Sequence, residues 1–435
     1  MTSDLAPQQR GKVCSVRMKA LPPSMREVSP AELFQHGTPL TEFPTPLVTL
    51  DGAALKSNIA TMATWCRRAG IGLAPHGKTT MSQAIWKKQL DAGAWGITVA
   101  TPWQLGVAIE WGIPRILLAN EFVQPAYMST VADTVGEGLS EIVVWADSVA
   151  GVAQLEEEFS RWEPARPLRV QVEVGAPGGR CGTRSRETSL RVAEAITAAP
   201  HLRLAGVAGY EGVIAHDAHD ASLATVRAYL EELRDTHHAF SENGLYPPAP
   251  EGILVAAGGS AYFDLFAEVL APLHEPHPTV GDPVHVLLNA GSYVTHDDGF
   301  YRGISPLGSA RGTDELRSAL NGWSTIISRP EPGLVILDGG KRDFPFDEGL
   351  PVVQGILRRG QACVEQLAEF PVAELNDQHT LVCVGDNSDF VIGDVLKLGL
   401  SHPCTTFDKW RALPVLDDSR TAMPQVVDMI TTDFG

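Results

Sequence analysis

A lysine stands among small and polar residues in the segment APHGKTTM, directly after the short apolar run Ile71–Leu73. A lysine at the mouth of a buried strand loses hydration, and this loss lowers the pKa of its amine. A neutral amine is a nucleophile, whereas an ammonium ion is only a charge. The sequence therefore predicts that Lys78 is a reactive lysine. His76, two residues earlier, either orients this lysine or a bound cofactor, or is a packed histidine.

A second pair of reactive side chains lies in LGLSHPCTTFD, where one residue separates His402 from Cys404. In a strand, residues i and i+2 point to one face, so the imidazole and the thiolate could bind one ion. These two ligand types suit zinc, and two protein ligands leave places for water or a substrate. The alternative is a buried structural thiol beside a histidine, because short motifs of this kind are common.

The elements that must position these residues repeat between residues 45 and 260 as an apolar run, a turn and an amphipathic helix. Runs without alternation suit parallel strands that are covered on both faces. The first helix has Asp51 as its N-cap and Gly70 at its end, and Thr101 followed by Pro102 starts another. The eight runs are Leu47–Leu50, Ile71–Leu73, Gly96–Ala100, Arg115–Ala119, Ile142–Ala146, Arg169–Val174, Leu204–Ala208 and Ile253–Ala257.

Eight strand–helix units predict an α/β fold of the (β/α)8 TIM-type barrel class. The rival is an open doubly wound sheet. The count of eight disfavours it, as does the lack of a Gly-x-Gly-x-x-Gly turn after the first strand. From residue 282 onward, short strands separated by Gly, Pro and Asp turns predict a mostly β domain, with a helix at Gly355–Glu369 as the exception. We thus predict an N-terminal segment packing on the β domain (1–44), a barrel (45–281) and a β domain with the metal site (282–435).

Residues of four chemical kinds follow the predicted strands. Active residues of barrels lie at the carboxyl ends of the strands. Lys78 follows the second strand, Arg180 the sixth, Tyr210 the seventh, and Gly258-Gly259-Ser260 the eighth. One face of the barrel would then hold a nucleophile, a cation, an aromatic ring and a turn of small residues whose N–H groups could bind phosphate.

The bulk composition narrows the class of partner. The 435 residues carry 34 basic and 52 acidic side chains, a formal net charge of −18, which argues against nucleic acid or an anionic membrane as partner. We find no apolar run of the ~18 residues that a membrane span needs, and no signal peptide at the polar N-terminus. The six cysteines have no disulfide-scaffold spacing, so the sequence predicts reduced thiols and a cytoplasmic location.

Five segments, APHGKTTM, GAWGITVATPWQ, RILLANEFV, GGRCGT and LDGGKRDF, closely resemble fold-type III pyridoxal-phosphate enzymes in sequence and order. These enzymes have an alanine-racemase-like barrel followed by a β domain. The nearest branch is that of D-serine dehydratase and D-threonine aldolase, and the resemblance runs from Thr45 to Leu416. It implies a homodimer whose sites lie between the barrel of one subunit and the β domain of another.

The resemblance also implies the residues of the site. Lys78 would bond covalently to pyridoxal 5′-phosphate, and His402 and Cys404 would bind Zn2+, with Mn2+ as the alternative. The cofactor-binding residues implied are Lys78, His76, Arg180, Tyr210, Gly258, Gly259, Ser260, Gly291, Ser292 and Tyr293. Ala74, Thr80 and Met81 replace an Arg, a His and a Lys that are common in the family, and this departure bears on the range of substrates.

The function that the resemblance implies is a pyridoxal-phosphate- and zinc-dependent dehydratase. It would convert a D-3-hydroxy amino acid, with D-serine the first candidate, to a 2-oxo acid and ammonia. D-Threonine aldolases typically carry His-x-Asp at the metal pair, so Cys404 favours the dehydratase. The alternative is a metal-dependent D-threonine-type aldolase. An amino-acid racemase would leave the metal pair without a task, and non-catalytic cofactor-binding proteins usually lack the long β domain.

Three other groups of polar residues receive plainer interpretations. We interpret the segment AHDAHD, residues 215–220, as a solvated loop rather than a metal cluster. Asp297 and Asp298 are interpreted as a polar turn, and Cys181 as a small packing residue.

Overall fold

Eight parallel strands form a barrel in the computed structural model, which describes residues 19, 21–22, 34, 37–274, 282–311, 313 and 315–434. The barrel strands, numbered first to eighth, are Gly72–Leu73, Ile97–Val99, Arg115–Glu121, Glu141–Ala146, Leu168–Val174, Leu202–Gly209, Ile253–Ala257 and Val284–Leu288. Each pairs in parallel with its neighbour from the second strand to the eighth, and the eighth pairs with the first. A parallel bridge between His76 and Thr98 and a 2.7 Å hydrogen bond from Trp95 N to Leu73 O join the first strand to the second. The predicted (β/α)8 barrel followed by a mostly β domain is therefore confirmed.

The helices begin and end where the capping residues predict. Asp51 Oδ1 accepts a hydrogen bond from Ala54 N at 2.7 Å, and Thr101 Oγ1 accepts one from Gln104 N at 3.2 Å. Gly70, with φ of +69°, ends the first helix in the left-handed conformation that glycine adopts readily. The helices are Gly52–Ala69, Gln83–Asp91, Pro102–Glu110, Met128–Glu137, Val149–Ser160, Arg186–Ala198, Asp220–Glu242, Phe263–Leu270, Phe300–Ile304 and Pro403–Phe407. No helix in the described ranges combines the length and the apolar character that crossing a membrane requires.

Two strands lie in a different domain from the one predicted for each of them. Leu47–Asp51 pairs antiparallel with Leu320–Trp323 and parallel with Val415–Leu416, so this strand belongs to the β domain. Val284–Leu288 is the eighth barrel strand instead of the first strand of the β domain. Both runs are apolar and largely buried, and periodicity cannot tell which sheet covers such a run. The predicted strand numbers therefore shift by one, and Lys78 follows the first barrel strand.

The β domain is built around the long strand Leu320–Glu331. The stretch Gly355–Glu369, predicted to be a helix, instead belongs to an antiparallel pair of strands, so that prediction is wrong. The strand Val352–Leu357 pairs with Val364–Pro371 on one side and with Val395–Gly399 on the other. The strands are Thr38–Pro39, Leu47–Asp51, Leu320–Glu331, Leu334–Leu337, Val352–Leu357, Val364–Pro371, Glu374–Leu375, Thr380–Cys383, Val395–Gly399, Ala412–Leu416 and Gln425–Thr431.

The N-terminal segment, residues 1–44, lies mostly outside the described residues. Within its described part, the strand Thr38–Pro39 pairs antiparallel with Gln425 and Val426 of the β domain. Lys19 Nζ lies 2.8 Å from Asp343 Oδ1 and over the ring of Trp410, both in the β domain. These contacts agree with a segment that packs on the β domain.

Candidate active site

A cavity of about 490 Å3 opens at the carboxyl ends of the barrel strands. Its wall combines barrel loops with the segment of the β domain that contains His402 and Cys404. The predicted site residues that line it are His76, Lys78, Arg180, Tyr210, Gly258, Gly259, Ser260, Gly291, Ser292, His402 and Cys404. Tyr293 is the exception: its side chain is 1% exposed, and its hydroxyl accepts a hydrogen bond from Gln89 Nε2 at 3.0 Å.

Lys78 lies on a single turn of 3-10 helix, Gly77–Thr79, that follows the first barrel strand. The turn requires glycine at position 77, because a Cβ atom there would lie 2.3 Å from the ring of Trp86. Burial lowers the pKa of Lys78; the charge of Cys404 opposes this effect and the charge of Arg180 adds to it. The amine is thus more easily neutral than that of an exposed lysine, as the sequence predicted from its place after a buried strand.

His76 is a buried, neutral imidazole beside this lysine. Burial lowers its pKa well below the usual value, and the charge of Lys78 lowers it further. Its Nδ1 atom has no hydrogen-bond partner among the described residues. A buried nitrogen without a partner is costly, so His76 offers a hydrogen-bonding group to whatever fills the cavity.

The turn of small residues after the seventh barrel strand is shaped by close contacts. Gly258 has φ of +91°, and a Cβ atom at Gly259 would lie 3.1 Å from the ring of Tyr210. The sequence predicted that the N–H groups of Gly258 and Gly259 are open to the cavity. In the structure they are not, because the buried carboxylate of Glu211 accepts hydrogen bonds from both. Hydroxyl and N–H groups from Ser260 onward are left for an anionic ligand.

Arg180 and Tyr210 form a stacked pair on another wall. The guanidinium carbon of Arg180 lies 4.7 Å from the centre of the Tyr210 ring, within the range of a cation–π contact. Burial and then the charge of Glu211 raise the pKa of Tyr210 to about 12, so its hydroxyl stays protonated. Arg184 Nη1 donates to Cys181 O at 3.0 Å and helps to fix the loop that carries Arg180.

His402 and Cys404 do not lie on a strand, so the predicted strand spacing is wrong for them. His402 has φ of +41° and precedes the short helix Pro403–Phe407. This turn nevertheless brings both side chains to the cavity. Cys404 Sγ lies 3.4 Å from Thr79 Oγ1 and 4.0 Å from Ser292 Oγ, both of which belong to the barrel half of the site.

The pair is prepared as an imidazolium and a thiolate, and a metal ion would displace the imidazolium proton. His402 Nδ1 lies 2.5 Å from Asp347 Oδ2, and Thr405 Oγ1 donates to the other oxygen of Asp347 at 2.6 Å. Burial alone would lower the pKa of His402, but Cys404 and Asp347 together raise it to about 9. Burial would likewise raise the pKa of Cys404, but the hydrogen bond from His402 and its charge lower it. A carboxylate that orients a histidine is the usual partner of a metal-binding imidazole.

Tyr301 is a cavity residue that the sequence did not reveal. It is on the helix Phe300–Ile304, and Asp297 Oδ1 accepts hydrogen bonds from Gly299 N at 3.0 Å and Tyr301 N at 2.9 Å. Asp297 is fully buried and is not among the residues that line the cavity, which agrees with its interpretation as part of a polar turn. The signal was present in the sequence, because an Asp two residues before a Gly can accept the N–H groups that begin a helix. Other lining residues not predicted are Thr79, Asn120, Trp145, Glu173, Cys181 and Asn289.

The structure agrees with one of the two remaining interpretations and contradicts the other. His219 and Asp217 form an exposed pair at 3.1 Å outside the residues that line the cavity, as expected of a solvated loop. Cys181, interpreted as a packing residue, is instead exposed on the cavity wall.

The sequence is similar to a family model and to three known proteins. Residues 319–416 match the family model described as "Putative serine dehydratase domain". A 3-hydroxy-D-aspartate aldolase of Paracoccus denitrificans is 27% identical over 72% of this chain and 76% of its own. A D-threonine aldolase of Arthrobacter sp. is 27% identical over 93% and 94% of the two chains. A D-threo-3-hydroxyaspartate dehydratase of Delftia sp. is 26% identical over 86% and 94%.

Solved structures agree on the fold. A D-threonine aldolase of Filomicrobium marinum matches with a TM-score of 0.71 and 23% identity over 92% of this chain and 98% of its own. A Cys-to-Ala variant of a D-threo-3-hydroxyaspartate dehydratase, in its metal-free form, matches with a TM-score of 0.68 and 21% identity over 92% and 100%. An alanine-racemase-like protein of Idiomarina loihiensis matches with 0.69 and 18% over 90% and 97%. The predicted resemblance to the D-serine dehydratase and D-threonine aldolase family is therefore confirmed, as is the alanine-racemase-like fold, and the relatives bear out the prediction of a lyase.

Proposed function

We propose that this lyase acts on D-3-hydroxy amino acids with the aid of pyridoxal phosphate and a divalent metal, and that it dehydrates them to a 2-oxo acid and ammonia. One observation carries the proposal: Lys78 and the pair His402 and Cys404 line the same cavity. Loss of a β-hydroxyl requires a base at Cα and stabilisation of the departing oxygen. The relatives act, by their names, on D-threonine and on D-3-hydroxyaspartate, which supports the class of substrate.

The residues around the cavity fit pyridoxal phosphate. A Cβ atom at Gly291 would lie 2.7 Å from His76 O, so the backbone there is close to the cavity and bears no side chain. Lys78 would hold the cofactor covalently, and the hydroxyls of Ser260 and Ser292 would bind its phosphate. The unpartnered Nδ1 of His76 would gain a hydrogen-bond partner.

The ligand atoms of His402 and Cys404 suit a divalent metal ion of borderline hardness. A thiolate and an imidazole suit Zn2+, whereas Mn2+ prefers oxygen ligands, so we propose Zn2+ with Mn2+ as the alternative. A solved structure of a D-threo-3-hydroxyaspartate dehydratase is that of a Cys-to-Ala variant in the metal-free form. In the present chain the corresponding candidate is Cys404, whose lowered pKa favours the thiolate that a metal requires.

The side chains would divide the chemistry between them. Bound pyridoxal phosphate supplies an electron sink for Cα, and a bound metal supplies a Lewis acid for the β-oxygen. Lys78, whose pKa burial lowers, is the base that accepts the Cα proton. Tyr301 is a hydrogen-bond donor on the same wall: burial raises its pKa well above the usual value, so its hydroxyl keeps its proton and can donate a hydrogen bond to the β-oxygen. Its hydrogen bond with Ser292 orients it toward the metal pair.

The charges of the cavity favour a substrate with a neutral side chain. Of the lysines and arginines among the lining residues, Lys78 is assigned as the base, which leaves Arg180 for the α-carboxylate. Glu173 lines the far wall, and Asp347 lies against His402. A second carboxylate, as in 3-hydroxyaspartate, would meet the negative charge of Asp347. Burial would raise the pKa of this carboxyl, but the hydrogen bonds it accepts and the charge of His402 lower it. We therefore propose D-serine and D-threonine ahead of 3-hydroxyaspartate.

An aldolase is the second candidate. The Arthrobacter D-threonine aldolase is 27% identical over nearly the whole chain, so the comparisons themselves favour it. In this reaction the bond between Cα and Cβ would break, and a base would remove the hydroxyl proton instead of a donor protonating the leaving oxygen. The cysteine of the metal pair is the feature that favours dehydration.

A product assay decides between the two reactions. Purified holoprotein is incubated with D-serine, D-threonine or 3-hydroxy-D-aspartate, each with and without a chelator, and with a Lys78→Ala variant as control. A 2-oxo acid and ammonia, lost in the variant and on chelation, would establish the metal-dependent dehydratase. Glycine and acetaldehyde from D-threonine would assign the aldolase. No turnover of any of the three would contradict both candidates.

A further inference from the structure

Two carboxylates and a thiol form a cluster at the edge of the cavity, apart from the residues assigned above. Glu121 ends the third barrel strand, Glu173 is near the end of the fifth, and Cys181 lies in the loop that follows. Each residue offers one ligand atom, and these three atoms all lie within 4.8 Å of one another. The topology thus brings three ligand-type side chains from distant parts of the sequence to one point.

The carboxylate oxygens of this cluster are buried without donors from outside it. Glu173 is only 8% exposed, and its Oε2 atom has no hydrogen-bond partner among the described residues. Both carboxylate oxygens of Glu121 are also buried without a partner outside the cluster, since the hydrogen bonds of Glu121 run to Glu173 and Cys181. Buried carboxylates normally receive hydrogen bonds or bind a cation, because an uncompensated buried charge is very unfavourable.

The nearby charges do not neutralise the cluster. Asp147 is a third acidic side chain beside it, with Oδ2 accepting a hydrogen bond from Gly182 N at 3.1 Å. Arg180 is a cation that acts on Glu173, and its guanidinium is also stacked on the ring of Tyr210. Burial first, then Glu121, raises the pKa of Glu173 to about 9, so the protein without a ligand compensates by binding a proton.

The cluster shares no ligand with the metal pair of the proposed active site, although Glu173 and Cys181 line the same cavity as that pair. The charges that act on Lys78 are those of Cys404 and Arg180. Those that act on Glu173 come from its acidic neighbours and from Arg180, and Cys404 is not among them. Arg180 is therefore a cation whose charge acts on both groups.

We propose that Glu121, Glu173 and Cys181 bind a second divalent cation of borderline type, such as Zn2+ or Co2+. Two carboxylate oxygens and one thiolate are a ligand set for such ions, and water would complete the coordination. Burial, then the charge of Glu121, raises the pKa of Cys181 to about 11, so the cation would displace the thiol proton on binding. The cation replaces the proton that the carboxylates otherwise share. It also ties the loop of Cys181, and with it Arg180, to the ends of two barrel strands. This site does not depend on the proposed reaction.

Cobalt binding to the purified, cofactor-loaded protein tests the second site. After chelator treatment and dialysis, Co2+ is titrated into the wild type and the variants. Bound metal is measured by elemental analysis, and Co2+–thiolate charge-transfer absorption is recorded. We expect two ions per chain in the wild type, and one in Glu173→Gln and in the double variant His402→Ala, Cys404→Ser. In that double variant, the remaining thiolate absorption should vanish when Cys181→Ser is added.

Control variants separate the loss of a metal ligand from the loss of a nearby charge and from unfolding. Asp147→Asn removes an equal charge next to the cluster without removing a proposed ligand, so two ions should remain. Circular dichroism and cofactor absorbance confirm that each variant is folded. Because Cys181 is exposed, Cys181→Ser is the variant least able to disturb the fold. If the double variant at His402 and Cys404 binds no Co2+, or if Cys181→Ser leaves its absorption unchanged, the second site is refuted and the carboxylates share only a proton.

Discussion

At the scale of single residues, Lys78 and Cys404 influence each other through charge. Burial lowers the pKa of the lysine, while the thiolate of Cys404 raises it. A metal bound to the thiolate would reduce the negative charge of Cys404. The thiolate would then stabilise the protonated form of Lys78 less, and the pKa of Lys78 would fall further. Metal binding and the presence of a neutral amine at Lys78 are therefore coupled, which suits a site where base and metal must act on the same substrate.

Replacing Lys78 by Ala removes both the proposed base and the covalent anchor. We expect turnover to fall by about 10²–10⁴-fold or more, because no other lysine lines the cavity within the described residues. The matched control is Lys88→Ala, which removes an exposed lysine on the neighbouring helix and should leave turnover unchanged. Steady-state kinetics of both variants, with cofactor absorbance, make the comparison. Substantial activity in Lys78→Ala would contradict the assignment.

Asp347→Asn tests the orientation of His402. The aspartate accepts the hydrogen bond of the imidazole Nδ1 and also that of Thr405. Loss of the carboxylate charge should weaken metal binding by about 10–100-fold, as is typical for such partners of metal-binding histidines. Competition with a chelator measures the dissociation constant. Asp408→Asn, at an exposed site on the same loop, should leave it unchanged, and equal affinities in both variants would refute the role of Asp347.

At the scale of elements, the sequence predicts which segments are strands and helices better than which sheet a strand joins. The run Leu47–Leu50 was recognised as a strand but assigned to the barrel, because its contacts with Leu320–Trp323 are set by residues 270 positions away. Local patterns carry no such information. The turn at His402 shows the same limit: the residue types predicted a metal pair, whereas the backbone that presents it is a turn with positive φ.

Gly77→Ala should disturb the turn that carries Lys78. The added Cβ atom would lie 2.3 Å from the ring of Trp86, a buried side chain that cannot move without repacking the core. We expect loss of about 1–3 kcal/mol in the free energy of unfolding and a marked loss of turnover. Gly303→Ala is the control, because nothing lies within 4 Å of its added Cβ. Denaturant unfolding and kinetics of the two variants make the test, and a neutral Gly77→Ala would refute the close contact.

Asp297 should make the helix that carries Tyr301 sensitive to pH. Burial raises the pKa of Asp297 from its ordinary 3.8 to about 7, although the N–H groups of Gly299 and Tyr301 oppose the shift. Between these two pH values the folded chain holds a proton that the unfolded chain has released. The free energy of unfolding therefore falls as pH rises from about 4 to about 7, by on the order of 2–4 kcal/mol.

The variant Asp297→Asn keeps an oxygen acceptor and cannot ionise. Its stability should match that of the wild type near pH 4 and exceed it above pH 7. Urea unfolding of both proteins across this range gives the difference, which cancels the titration of other groups. Asp297→Ala, which lacks the acceptor, should be less stable than Asp297→Asn at every pH. A constant difference between wild type and Asp297→Asn would mean that Asp297 does not titrate in this range.

At the scale of the whole molecule, one chain supplies both halves of the site. The segment with Cys404 reaches Thr79 and Ser292 within a single chain, although the family resemblance implied a site between two subunits. The homodimer and the cytoplasmic location remain predictions. The chemistry-bearing residues could be predicted because they are local motifs. The acidic cluster of Glu121 and Glu173 could not, because two barrel strands bring it together only in three dimensions.

The net charge of −18 should govern how fast charged substrates reach the cavity. D-Serine is a zwitterion without net charge, whereas 3-hydroxy-D-aspartate carries one negative charge and is repelled. Raising the ionic strength from about 0.01 M to about 0.15 M shortens the screening length from about 30 Å to about 8 Å. We therefore expect kcat/KM for 3-hydroxy-D-aspartate to rise several-fold with salt, and that for D-serine to stay nearly constant. Chloride salts of sodium and potassium should act alike, because screening does not depend on the identity of the ion. If kcat/KM for the anionic substrate falls with salt instead, attraction by Arg180 outweighs the charge of the whole molecule, and the proposed preference for neutral side chains is wrong.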